Sequence, residues 1–138
     1  MTVVFADTAF YVALLSSRDA LHSLAVQFLA GYSGRIVTTE FILLEVANFN
    51  ARPADRQRFV DLAAQIRTDS HTQLVPATAD LFDRGLDLFA NRPDKSWSLT
   101  DCSSFVVMTD LKLTDALTSD EHFEQAGFRA LLKPEAGT

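Results

Sequence analysis

The segment Val3-Val4-Phe5-Ala6-Asp7-Thr8 decides the fold. Its first four residues are apolar and favour a short buried strand, which stops at Asp7-Thr8. Phe10 and Leu14 then fall at helical spacing. A buried strand, an acidic turn and a helix in immediate succession are typical of a parallel α/β unit.

The same alternation continues along the chain. We predict strands at residues 3–6, 35–39, 73–76, 115–119 and 129–132, with 73–76 at an edge because it ends in Pro76. We predict helices after Thr8 and at residues 20–30, 40–50, 53–67, 77–90, 98–111 and 121–126. Strands that alternate with helices indicate an α/β fold with a mainly parallel sheet that is covered on both faces.

Length and composition fit one domain over residues 1–138, with Pro134–Thr138 as a loose tail. No apolar run approaches the roughly 20 residues of a spanning helix, and the N-terminus lacks the features of an export signal, so we expect no membrane association and a cytoplasmic location. Cys102 is the only cysteine, which excludes an intramolecular disulfide and a cysteine-based zinc site.

The net charge of −6 argues against a module that holds nucleic acid by charge attraction alone. An enzyme that gathers carboxylates around divalent cations is not excluded, because the metal ions bring positive charge to a phosphate substrate.

Two predicted strands end in an aspartate. Asp7 follows the first strand, and Asp120 follows Ala116-Leu117-Thr118-Ser119. Either residue alone could be a helix N-cap. If the strands are neighbours, both carboxylates lie at the same edge of the sheet, where α/β folds place their chemistry.

Two further acids complete the candidate site. Asp101 lies three residues after Ser98, which is the spacing of a capping box, so it could be a cap, a cation ligand or both. Glu45 lies among apolar neighbours, and an unpaired buried carboxylate costs several kcal/mol. Its partner could be Arg52, two helical turns later, but we favour a divalent cation.

Several carboxylates at one edge would repel each other without a cation. Oxygen ligands are those that Mg²⁺ and Mn²⁺ prefer, with Mg²⁺ as the first candidate. Such a site suits phosphodiester hydrolysis, in which one or two metal ions activate water and stabilise the charge that develops.

Four segments together resemble the PIN-domain family of nucleases. They are Phe5-Ala6-Asp7-Thr8-Ala9-Phe10, Thr38-Thr39-Glu40-Phe41-Ile42-Leu43-Leu44-Glu45-Val46-Ala47, Ser98-Leu99-Thr100-Asp101-Cys102 and Thr118-Ser119-Asp120-Glu121-His122-Phe123. The chain departs from many relatives after the third acid, where Phe105-Val106-Val107-Met108 are bulky instead of small and alanine-rich.

The resemblance implies a three-layer α/β/α sandwich around a five-stranded sheet, and an Mg²⁺- or Mn²⁺-dependent endoribonuclease. It implies that Asp7, Glu45, Asp101 and Asp120 form the catalytic, metal-binding quartet, with Thr8 and Thr118 as supporting hydroxyls. In a chain of this length it is most similar to VapC-type toxins, which a small antitoxin holds inactive.

Other residues could contact RNA or a protein. Arg92, Lys95 and Trp97 precede Asp101 and could bind phosphate or stack on a base, although a solvated loop anchored by Trp97 is the simpler interpretation. His122 follows Asp120 closely, but we favour a surface histidine. A further hypothesis is a groove for a partner helix or for the second copy of a homodimer. It would be lined by Phe10, Leu14, Leu21, Leu24 and Phe28.

Competing functions remain at this stage. An aspartyl-phosphate phosphatase would require a second aspartate at position 9, which is Ala9. A receiver-like Mg²⁺-binding module would require paired acids at the first strand end and a lysine after the last long strand. A non-catalytic PIN-like domain that binds RNA or a protein partner differs from a nuclease only in an activity assay.

Overall fold

The computed structural model describes residues 2–133, so the predicted loose tail at 134–138 lies outside the described residues. Five strands are present: β1 Val3–Ala6, β2 Arg35–Thr39, β3 Thr72–Val75, β4 Asp115–Leu117 and β5 Arg129–Ala130. The described helices are α1 Thr8–Leu15, α2 His22–Gly31, α3 Glu40–Phe49, α4 Arg56–Thr68, α5 Ala79–Asn91, α6 Leu99–Asp110 and α7 Glu121–Gln125.

The strands form one sheet in the order β3-β2-β1-β4-β5. Every neighbouring pair is parallel, which confirms the predicted α/β/α fold and the edge position of β3. Val4, Phe5 and Ala6 of the central strand β1 are all buried, as expected for a parallel strand covered on both faces.

The order of the strands reverses at β1. The chain goes from β1 to β2 and β3 on one side, then returns to place β4 and β5 on the other. Such a reversal leaves a crevice at the carboxyl ends of the two strands where it occurs, here β1 and β4. Asp7 and Asp120 follow these two strands, so the topology brings both acids to the crevice.

Several predicted boundaries differ from the structure by two or three residues, including the end of β5, which is Ala130 rather than Leu132, and two of these differences have a clear local reason. Helix α4 begins at Arg56 rather than Pro53, because residues 52–55 form a turn in which the amide of Asp55 donates to the carbonyl of Arg52 at 2.9 Å. Strand β4 ends at Leu117 rather than Ser119, because the amide of Thr118 turns back to the carbonyl of Ala116 at 3.0 Å.

An aromatic cluster joins α6 and α7 to the sheet. The ring of Phe105 meets Phe123 edge-on at 4.9 Å and Trp97 at 5.0 Å between ring centroids, and Phe123 lies 6.3 Å from Phe5 of β1. The bulky residue at position 105 therefore positions α7, which follows Asp120. Within residues 2–133, no helix is long and apolar enough to cross a membrane.

Candidate active site

Asp7 occupies the N-cap position of α1, but its side chain makes no capping hydrogen bond. Instead, the hydroxyl of Thr118 donates to Asp7 Oδ2 at 2.8 Å. The carboxylate is held by a residue far away in the sequence, and Asp7 is only 6% exposed. The N-cap alternative therefore does not explain this aspartate.

Thr118 links the two strand ends through its side chain. Its Oγ1 donates to Asp7 and accepts from the amide of Asp120 at 3.0 Å. The turn that ends β4 is what places this hydroxyl between the two acids, and Thr118 is fully buried there.

Asp101 and Asp120 do act as helix caps. Asp101 Oδ2 accepts from the amide of Ser98 at 3.1 Å, and Ser98 Oγ accepts from the amide of Asp101 at 3.0 Å, which completes the predicted capping box of α6. Asp120 Oδ1 accepts from the amide of His122 at 2.9 Å at the start of α7. Capping leaves both acids facing the crevice.

His122 lies between these two aspartates. Its Nδ1 is 3.0 Å from Asp101 Oδ2 and 3.4 Å from Asp120 Oδ1. One ligand atom from each of the three residues lies within 4.8 Å of the others. The preference for a surface histidine was therefore wrong, since the imidazole joins the first turn of α7 to the first turn of α6.

Glu45 reaches the same place from α3, whose start is fixed by Thr39 accepting from the amide of Ile42 at 3.0 Å. Arg52, the alternative partner, pairs instead with Asp55 at 3.3 Å. Among residues 2–133, Glu45 makes no ion pair with a basic side chain.

All four acids line one open cavity of about 450 Å³. Its lining residues within the described chain are Asp7, Thr8, Ala9, Val12, Asp19, Leu21, Glu45, Phe49, Asp101, Ser119 and Asp120. This set contains no lysine or arginine, so no protein cation of the described chain balances the carboxylates inside the cavity.

Burial and crowding perturb the ionisation of Asp7. Desolvation is the largest cause and raises its pKa from the ordinary 3.8 to about 7. The hydrogen bonds from Thr118 and from the backbone of Thr8 oppose this shift, and the charges of Asp101 and Glu45 add to it. The carboxylate form of Asp7 is therefore destabilised around neutral pH.

The donor set fits a hard divalent cation. The cavity offers carboxylate oxygens, and the buried hydroxyl Oγ1 of Thr8 has no hydrogen-bond partner within the described chain. Buried polar atoms rarely lack a partner, and oxygen donors are those that Mg²⁺ and Mn²⁺ prefer.

Comparison with known proteins agrees with this geometry. The family model described as "PIN domain" matches residues 4–129, nearly the whole chain. The chain belongs to the PIN-domain family.

Two mycobacterial comparisons extend the match. This PIN domain is 29% identical over 126 residues to the 23S rRNA-specific endonuclease VapC20 of Mycobacterium tuberculosis, covering 91% of this chain and 95% of VapC20. It superposes on the crystal structure of that protein, a sarcin-ricin loop cleaving toxin, with a TM-score of 0.85 and 27% identity, covering 96% of this chain and 100% of the other.

A more distant structure shows the fold alone. FitAcB from Neisseria gonorrhoeae superposes with a TM-score of 0.63 at 13% identity, covering 96% of this chain and 98% of that one.

Arg92 and Trp97, in the loop predicted to contact substrate, make contacts within this PIN domain instead. Trp97 is 5% exposed, packs edge-on against Phe105, and donates from Nε1 to Gln125 at 3.1 Å. Arg92 lies 4.9 Å above the indole and pairs with Asp94 at 3.0 Å. Trp97 therefore anchors the loop and presents no free face to a base. Neither Trp97 nor Arg92 lines the acidic cavity, and Lys95 is not among its lining residues either.

Sequence reasoning did not select Phe49, which lines the acidic cavity one helical turn after Glu45. The available signal was the i, i+4 spacing, which places both side chains on one face of α3.

The five residues of the hypothetical partner groove are partly separated from solvent. Phe10 is fully buried, and Leu14, Leu21, Leu24 and Phe28 pack half-buried against the core.

Proposed function

We propose that this PIN domain is a divalent-metal-dependent endoribonuclease that hydrolyses RNA phosphodiester bonds. The observation that carries the proposal is the convergence of Asp7, Glu45, Asp101 and Asp120 on one cavity whose lining, within the described chain, contains no lysine or arginine. Gathering four acids destabilises the free protein, so a bound cation is the arrangement that makes this cavity favourable.

The four carboxylates would hold Mg²⁺ or Mn²⁺, with the hydroxyl of Thr8 as a further oxygen donor. When bound, such a cation activates water and stabilises the charge on the attacking and leaving oxygens of a phosphodiester. Because Mn²⁺ also accepts oxygen ligands, we expect both metals to support activity.

The chain's own residues prepare the site. Thr118 holds Asp7 by a 2.8 Å hydrogen bond, and His122 holds Asp101 at 3.0 Å. Such partners fix the orientation of ligand carboxylates before the cation arrives. Without a bound cation, burial raises the pKa of Asp7 to about 7, so its proton leaves only as the pH approaches neutrality.

The substrate and biological role follow from the relatives and belong to the same proposal. VapC20 is specific for 23S rRNA, which makes ribosomal RNA the first substrate to test. We infer a toxin that acts in the cytoplasm and that a small antitoxin inhibits. A second copy of the chain is the other protein partner, and light scattering of the purified protein tests this homodimer.

The test is cleavage of purified 23S rRNA, and of a hairpin with the sarcin-ricin loop sequence, in Mg²⁺, in Mn²⁺ and in EDTA. We expect strand breaks with either metal and none in EDTA. Asp7→Asn should abolish cleavage, whereas Asp83→Asn, an exposed aspartate on α5, serves as the matched control and should not.

Two outcomes oppose the proposal. If the Asp7→Asn variant still cleaves RNA, Asp7 is not a catalytic residue and the site assignment is wrong. Binding of RNA without strand breaks under every metal condition would instead support the non-catalytic PIN-like alternative.

A further inference from the structure

An exposed aromatic side chain lies at the mouth of the acidic cavity. Phe49 is the last residue of α3, lines the cavity together with Glu45, and is 66% exposed. An exposed phenyl ring has no benefit for stability there, but it offers a π-face on which any base can stack.

A second cavity of about 310 Å³ contains a group of arginines. It is lined by Ser16, Ser17, Arg18, Arg52, Asp55 and Arg58. Asp55 pairs with Arg52 at 3.3 Å and with Arg58 at 2.8 Å, so two guanidinium groups share one carboxylate. With Arg18 added, the lining carries a charge of +2. In a chain with a net charge of −6, this is a local reversal of sign.

One of these arginines is held in place by the backbone. Arg58 donates to the carbonyl of Leu15 at 2.9 Å, which connects the start of α4 to the end of α1. Arg18 makes no ion pair within residues 2–133, and its side chain is exposed. The cavity therefore combines a guanidinium held by the backbone, a second one paired with Asp55 and the unpaired one of Arg18, a net positive set that suits the binding of a phosphate group.

The two cavities adjoin along the chain. Asp19 and Phe49 line the acidic cavity, while Arg18 and Arg52 line the arginine cavity. Arg18 directly precedes Asp19, and Arg52 follows Phe49 by three residues, which an extended chain spans in roughly 10 Å. Asp19 is itself engaged, because its Oδ1 accepts from the amide of Leu21 at 2.8 Å.

We propose that a single strand of RNA leaves the acidic cavity by stacking a base on Phe49 and placing a backbone phosphate in the cavity of Arg18, Arg52 and Arg58. This inference rests on the proposed function. Aromatic stacking combined with a positively charged groove is the usual way in which proteins follow a single strand. We call this path over Phe49 and the cavity of Arg18, Arg52 and Arg58 the RNA track. It also explains how a chain with a negative net charge holds RNA, since positive charge is concentrated locally along the track.

The stacking contact is tested with Phe49→Ala, Phe49→Leu and Phe49→Trp. The substrate is a labelled single-stranded oligoribonucleotide that carries the sarcin-ricin loop sequence. We expect KM to rise about 5-fold to 100-fold for Ala and for Leu, with a smaller change in kcat, and a KM near wild type for Trp. Phe89→Ala is the control, because Phe89 is 47% exposed on α5, away from both cavities.

The phosphate contact is tested with Arg18→Ala and Arg52→Ala. Each should raise KM and reduce the slope of log KM against log salt by about 0.7 for each phosphate that the variant no longer binds. Arg129→Ala is the control for Arg52→Ala, because Arg129 is also exposed and pairs with an aspartate, Asp115, at 3.1 Å. The control should leave KM and the salt slope unchanged.

Binding separates this inference from the nuclease proposal. Fluorescence anisotropy of the same oligoribonucleotide is measured in Ca²⁺, with the probe checked on a gel. If the wild type binds but never cuts, and the Phe49 and Arg52 variants lose binding, the track holds and the nuclease proposal fails. If the wild type cuts while those variants keep its KM and salt slope, the track is wrong, and the surface is then available to a protein partner.

Discussion

Replacing Asp7 with Asn should stabilise the metal-free protein at pH 8 while it removes activity. Asp7 is 6% exposed, and its pKa is raised from 3.8 to about 7. One pKa unit corresponds to about 1.4 kcal/mol, so the ionised form destabilises the folded state by about 4 kcal/mol. The buried Asn amide needs hydrogen-bond acceptors of its own, which costs about 1–2 kcal/mol. The net expectation is a gain of about 2–3 kcal/mol.

The pH dependence identifies the cause. Between pH 4 and pH 7 the folded state holds a proton on Asp7 that the unfolded state has released, so wild-type stability falls as the pH rises through this range. Asn cannot titrate. The advantage of the variant should therefore shrink by about 2–3 kcal/mol between pH 8 and pH 5.

The assay is urea unfolding in EDTA at pH 5, 6, 7 and 8, followed by circular dichroism. Asp83→Asn changes the net charge equally at an exposed position and tests for a general charge effect. A stability difference between Asp7→Asn and wild type that is the same at pH 5 and pH 8 would refute the reasoning. Adding Mg²⁺ at pH 8 should recover stability in wild type and much less in Asp7→Asn.

Three further predictions follow from the contacts. The hydroxyl of Thr118 donates to Asp7 and lowers the pKa of that carboxyl, so its removal in Thr118→Val should raise the pKa. The acid limb of the cleavage pH profile should then move to higher pH, and activity at pH 7 should fall. Thr118→Ser keeps the hydroxyl and should retain the wild-type pH profile and activity. Gly34→Ala would place a Cβ 2.5 Å from a backbone carbonyl oxygen, so its free energy of unfolding should fall by about 1–3 kcal/mol, whereas Gly31→Ala meets open space and should not lose stability. His122→Ala releases Asp101, so Mg²⁺ titrations of Tm should show about 10-fold to 100-fold weaker binding.

The positions of the strand-end acids could be predicted because they depend only on topology. Neighbouring parallel strands end at one edge of the sheet, so the positions of Asp7 and Asp120 follow once β1 and β4 are recognised. Glu45 could be selected because an acid between apolar neighbours is unfavourable without a partner if it is buried. The expected burial was wrong, however, since Glu45 is only half-buried and lines the open cavity. In each case the information is local or arises from the order of the elements.

The contacts between distant side chains could not be predicted. The hydrogen bond of Thr118 to Asp7 spans 111 positions in the chain, and the contact of His122 with Asp101 spans 21. Both depend on how a tight turn and a short helix pack after the strand. The anchoring role of Trp97 could be anticipated, but its partners Phe105 and Gln125 could not, because they belong to other elements.

The helix N-termini and a bound cation would both stabilise the negative charge of the carboxylates. Asp7 and Asp120 precede helices α1 and α7, and Asp101 lies in the first turn of α6, so three helix N-termini face the acids. Each terminus stabilises a nearby negative charge by about 0.3–1 kcal/mol. The roughly 4 kcal/mol by which ionised Asp7 destabilises the folded state remains after the favourable hydrogen bonds from Thr118 and from the backbone of Thr8 are included. Capping alone therefore leaves the carboxylates unbalanced, and the remainder is what a divalent cation would supply.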